Sequence, residues 1–105
     1  MGFNLNIPLV EKNRLMIKIV NPIIGNLTSK EIEILTKIID LGLIIMTRDA
    51  RADVRLALNM DKFNFNNYIK KLRVKNILVE DNSNLVVNPK ILFILKHESL
   101  NINFV

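Results

Sequence analysis

Leu58-Asn59-Met60-Asp61-Lys62-Phe63-Asn64-Phe65-Asn66-Asn67-Tyr68-Ile69-Lys70-Lys71-Leu72 is the stretch that decides the fold. Asn59-Met60-Asp61 breaks a helical pattern. Asp61 then suits the N-cap of a new helix, because a short acidic side chain can accept from the free N–H groups of a first turn. Beyond it Phe65, Ile69 and Leu72 recur at helical spacing and define a buried stripe, with Tyr68 at its border. This helix is predicted to reach about Lys75.

Upstream, the helix that closes at Leu58 starts at Thr47 or Asp49. Ala50, Val54, Ala57 and Leu58 are expected to face inward, and Arg48, Arg51, Asp53 and Arg55 outward. Leu43 to Met46 is a short apolar run that suits either a strand or the lead-in to that helix. Leu27 to Leu41 reads as the first clear helix. Thr28 and Glu31 have capping-box spacing, and Leu27 and Ile32 are placed for a hydrophobic staple. Ile32, Leu35 and Ile39 form its stripe, and Ile34, Ile38 and Leu41 widen it, as in a helix at the middle of a core. Gly42 is the expected stop. Further upstream, Arg14 to Val20 reads as a strand closed by Asn21-Pro22.

Downstream, Ile77 to Glu80 and Leu85 to Asn88 flank Asp81-Asn82-Ser83-Asn84, the pattern of a hairpin. Pro89 ends its second strand. Lys90 to Lys96 is apolar and of open type. The two ends alternate apolar residues with Asn, the period of a strand with one apolar face. Phe3, Leu5 and Ile7 line one such face and Leu100, Ile102 and Phe104 the other. Strands of this kind offer an edge and an apolar face to a partner chain.

The stretch from Leu58 to Leu72 resembles the turn and recognition helix of helix-turn-helix proteins. In that pattern an apolar residue (Leu58) is followed by one tolerant of positive φ, usually Gly and here Asn59. An apolar plug (Met60), a polar cap (Asp61) and buried residues at Phe65, Ile69 and Leu72 follow. Leu72-Arg73-Val74-Lys75-Asn76-Ile77 resembles the passage into the hairpin of the winged version, with Asn76 where Gly is usual. More loosely, Asn21-Pro22 before Leu27-Thr28, Arg51-x-x-Val54 and Asn66-Asn67-Tyr68 resemble small winged-helix proteins of tailed phages of low-GC hosts. Such proteins include transcription regulators, virion components and assembly factors. The wealth of Asn, Ile and Lys, encoded by AT-rich codons, fits a bacterium or phage of that kind.

The formal net charge is +5, and it is local. Lys62, Lys70, Lys71, Arg73 and Lys75 fall in one fourteen-residue stretch without an acid, and the other ten basic residues balance the ten acids. A nucleic-acid footprint has this form, although a solvated helix face can share it. The five cations are the candidate phosphate contacts on double-stranded DNA. Asn64 and Asn67 are the candidate base contacts, since Asn can pair with adenine in the major groove. On the outer face Asn64, Asn67 and Lys71 fall together, with Lys62, Asn66 and Lys70 beside them. Phe63 also tends outward, suited to packing on the preceding helix, to a thymine methyl or to a protein partner.

Several chemistries lack their residues. There is no Cys, which removes disulfides, thiolate metal sites and thiol nucleophiles. His97 is the only His, and the three Gly are too scattered for a phosphate-cradling loop. Asp49 and Asp53, four apart, suit the acid-favouring start of a helix better than a metal pair. No enzyme, cofactor, metal site or small-molecule substrate is expected. No apolar run approaches the roughly 18 residues of a membrane span, and the start lacks the pattern of a signal peptide, so no membrane partner is expected either.

The expected class is α+β, mainly helical: a winged helix-turn-helix of three helices and a β-hairpin wing, with short strands at both termini. The expected parts are an N-terminal strand extension (1–26), the winged helix-turn-helix (27–89) and a C-terminal extension ending in a strand (90–105). The function expected is DNA binding by a regulator-like bacterial or phage protein in the cytoplasm. The alternative is a virion structural or assembly protein that grips protein through the same fold, as a homo-oligomer or among other particle proteins.

Overall fold

The computed structural model describes residues 11–99, so the alternating ends that carry Phe3, Leu5, Ile7, Leu100, Ile102 and Phe104 lie outside the described residues. The described chain is α+β and mostly helical. Its elements are α1 (Lys12–Ile24), α2 (Ser29–Asp40), β1 (Ile45–Met46), α3 (Arg48–Ala57), α4 (Lys62–Val74), β2 (Leu78–Asp81), β3 (Asn84–Val87) and α5 (Pro89–Ser99).

Caps at both ends fix α2, α3 and α4 in place. The capping box of α2 is complete: the Thr28 side chain accepts from Glu31 N–H, and the Glu31 carboxylate accepts from Thr28 N–H at 2.8 Å. Leu27 and Ile32, the staple pair, are both buried. Thr47 caps α3 and Asp61 caps α4, the latter accepting from Asn64 N–H at 2.8 Å.

The far ends of α2, α3 and α4 share one device. Gly42, Asn59 and Asn76 stand at φ 68°, 52° and 59°. The N–H of the next residue reaches back to Ile38, Arg55 and Leu72 respectively, closing a Schellman motif each time. Asn59 and Asn76 therefore occupy the left-handed backbone positions that the sequence pattern assigns them.

Two segments differ from expectation. Arg14 to Val20 is part of helix α1 rather than a strand. Met16, Ile17 and Val20 are spaced to share one helical face, and all three are buried. Pro22 does not stop α1, because Asn21 holds the exit: its carbonyl accepts from the N–H groups of Gly25 and Asn26, and its side chain bonds both backbone groups of Leu27. Lys90 to Lys96, left open by its composition, lies in α5. Asn88 starts that helix by accepting from Lys90 N–H, and Pro89 supplies a fixed φ at the first position.

The sheet is antiparallel, in the order β1-β3-β2. β2 and β3 form the expected hairpin, paired from Leu78↔Val87 to Asp81↔Asn84. Asn82 and Ser83 at its tip both have positive φ, as a two-residue turn of right-handed strands requires. Ile45 and Met46 pair with Val86 and Leu85, so the short apolar run is a strand.

One core joins these parts. It gathers Met16, Ile17 and Val20 of α1, Ile34, Leu35 and Ile38 of α2, Val54 of α3, Phe65, Ile69 and Leu72 of α4, the hairpin, and Ile91 and Leu95 of α5. Buried side chains thus come from before position 27 and after position 89. At the edges Ala57, expected inside, is exposed, Ile39 and Leu58 are half-buried, and Leu41 is 46% exposed.

Candidate nucleic-acid interface

The buried stripe of α4 settles what its other faces can do. Phe65, Ile69 and Leu72 are buried, which turns Lys62, Phe63, Asn66 and Lys70 to the exterior. Lys62 and Lys70 make no ion pair among the described residues. Lys71 is exposed, its ammonium 4.8 Å from the centre of the Tyr68 ring.

The other two candidate phosphate contacts are engaged within the protein. Arg73 bonds Glu80 on β2 at 2.9 Å, an exposed pair that a ligand could open at small cost. Lys75 differs, because its partner is buried. Its ammonium bonds the Glu31 carboxylate at 2.7 Å and the Asn26 carbonyl at 3.3 Å. Glu31 is only 1% exposed, and a buried carboxylate needs that cation more than a surface phosphate does. Burial raises the Glu31 pKa, but the bonds from Lys75 and Thr28 outweigh it and hold the group below its ordinary value.

Of the candidate base contacts, Asn64 already donates its amide to the capping Asp61 carboxylate at 2.6 Å. Asn67 is half-buried, Asn66 is exposed, and neither side chain has a hydrogen-bond partner among the described residues. Two apolar side chains share this outer surface, Phe63 at 74% and Val74 at 83% exposure.

A second basic group stands beside α4 and lies outside the acid-free stretch. Arg48, Arg51 and Arg55 recur at i, i+3 and i+7 and so share one side of α3, while Asp49 and Asp53 fall on another. They line a cleft of about 540 Å³ with Lys62 and Asn66 of α4 and with Ser83 and Asn84 of the hairpin. Among the described residues no carboxylate lines it. Arg55 also donates to the Met60 carbonyl at 3.3 Å, tying α3 to the turn before α4. The spacing of the three Arg was visible in the sequence. What they face depends on the hairpin, which only the fold brings near.

No group of three or more His, Cys, Asp or Glu among the described residues is placed to hold a metal ion, and no described helix is long and apolar enough to cross a membrane. No family model, no curated protein and no solved structure matches the chain.

Proposed function

We propose that the chain is a winged helix-turn-helix protein that binds double-stranded DNA through α4, as a regulator-like factor of a bacterium or its phage. Support for the fold comes from the order α2-β1-α3-α4-β2-β3, with Asn59 at positive φ between α3 and α4 and a hairpin directly after α4. The observation that carries the function is the open polar surface of α4. Lys62, Asn66, Lys70 and Lys71 are exposed there, and α4 itself carries no acid, with Asp61 as its cap. In this reading Lys62, Lys70 and Lys71 meet phosphates, with Arg73 after release from Glu80. Asn66 and Asn67 are better placed than Asn64 to meet base edges.

Duplex binding measured at several salt concentrations tests this. About four or five phosphate contacts give a slope of log affinity against log salt near −4. Lys70→Ala with Lys71→Ala should weaken binding to every sequence and flatten that slope by about 1.8. Salt-insensitive binding, or none at low salt, overturns the reading.

The second reading is an adaptor or structural protein of a phage particle. Phe63 and Val74 favour it, because large exposed apolar side chains on a helix suit a protein partner better than a charged groove. In that case Phe63→Ser should abolish partner binding and leave stability unchanged.

A further inference from the structure

The cleft between α3, α4 and the hairpin tip is built for an oxyanion. It gathers four cationic side chains, Arg48, Arg51, Arg55 and Lys62, with no carboxylate among the described residues to balance them. Like charges that line one cleft raise its positive potential, so the arrangement gains when an anion enters. Arg51 adds an independent sign. It is half-buried, makes no ion pair among the described residues, and its Nε is fully buried without a hydrogen-bond partner. A buried donor left unmade costs free energy until something accepts from it. Guanidinium groups donate to phosphate oxygens in pairs, in a planar fork that ammonium groups lack. Around these cations stand neutral hydrogen-bonding groups, the Asn66 amide and the Ser83 hydroxyl, which suit the sugar or ester side of a phosphoryl group.

We propose that this cleft is a phosphate-binding site whose cations are Arg51, Arg48, Arg55 and Lys62. The strand phosphate of a bound duplex and a small phosphoryl ligand present the same chemistry to it. The proposal deepens the DNA reading, and it rests on that reading only for the duplex as the source.

The test is a titration of the protein with inorganic phosphate, following the arginine Nε–H signals by NMR at constant ionic strength set with chloride. The Arg51 Nε–H signal should move saturably with phosphate and stay still in chloride. Arg51→Gln should weaken phosphate binding by about tenfold or more. Phosphate also stabilises proteins by exclusion from their surface, but that effect is the same in wild type and variant and moves no single Nε–H signal. Arg48→Gln, at an exposed position, serves as the second variant should Arg51→Gln fold poorly. In the DNA arm, Arg51→Gln should reduce the salt slope by about 0.9, one phosphate contact.

Phosphate binding together with a reduced DNA slope assigns the site to a strand phosphate. A reduced slope without free phosphate binding assigns it to the strand alone. Phosphate binding with no DNA binding at all keeps the site, gives it to a small phosphoryl ligand and removes the DNA reading. If phosphate moves no signal and both variants bind DNA as wild type does, the proposal is overturned. Loss of DNA binding in the Lys70/Lys71 double variant would in that case still keep the DNA reading.

Discussion

Lys75→Met separates a structural cation from a DNA contact. In the wild-type protein the Lys75 ammonium is 2.7 Å from a Glu31 carboxylate that is 1% exposed, and the second oxygen of that carboxylate has no partner among the described residues. Removing one member of a buried pair costs roughly 3–5 kcal/mol, because the other charge is left in a poor solvent. Lys75 itself keeps 30% of its side chain in water, which can follow into the vacated space. The expected loss is therefore at the low end or below, about 2–3 kcal/mol, or a fall in Tm of about 10–20 °C for a domain of this size. Glu31→Gln with Lys75→Met should recover part of it, since no charge is then stranded.

The dependence on pH follows from the lowered pKa of Glu31. Bonds from Lys75 and Thr28 prevail over burial and hold it below the ordinary value of 4.5. The contribution of the pair is thus fully present above pH 4.5 and is lost as pH falls through the lower folded-state value. Lys75→Met removes the cation that lowers the Glu31 pKa, so the carboxyl pKa should rise from its wild-type value and the penalty should shrink as acid neutralises Glu31. Urea unfolding at neutral and acid pH measures both effects. A variant with the stability of a surface substitution, within about 0.5 kcal/mol, together with a flatter DNA salt slope would refute this assignment and return Lys75 to the phosphate contacts.

Asn59 stands at φ 52°, so Asn59→Gly should be tolerated, and Asn59→Val should cost roughly 1–3 kcal/mol in chemical unfolding. Phe65 is 1% exposed in the common core, and Phe65→Ala should cost roughly 3–5 kcal/mol by the same measurement. Removing residues 100–105 should leave Tm unchanged and abolish any self-association seen by sedimentation, if the Leu100, Ile102 and Phe104 face meets a partner chain. A truncated protein that fails to fold would place that segment in the domain instead.

The elements legible in the sequence were those with local signals. The Thr28 and Glu31 pair, the Asp61 cap and the Gly42 stop each act within a few residues, and each stands where the pattern placed it. The hairpin was legible because its tip demands residues that accept positive φ. α1 was misread because an apolar run such as Leu15-Met16-Ile17-Lys18-Ile19-Val20 satisfies both periods in part, and a proline nearby suggests an end. What made it a helix is tertiary: Met16, Ile17 and Val20 find one cover in the common core, with α2 and α5 against them. The pairing of β1 with β3 was equally invisible, because two residues carry no period of their own.

Charge counting along the chain leaves out the geometry of the helix. A helix advances about 100° per residue, so a basic run spreads its cations around the axis instead of gathering them on one face. Between Lys62 and Lys75 the run sends Arg73 to an exposed pair with Glu80 on the hairpin and Lys75 to the buried Glu31, so two of the five have partners within the protein. Arg48, Arg51 and Arg55 were counted among the ten cations that balance the ten acids, yet their spacing collects all three on one side of α3 and leaves Asp49 and Asp53 on another. Net charge therefore reports how much anion a segment can balance, whereas recognition depends on which cations share a face. Judged that way, the gathered cations are those of the cleft, where Lys62 of α4 stands with the three arginines of α3, whereas Lys71 falls on another side of α4.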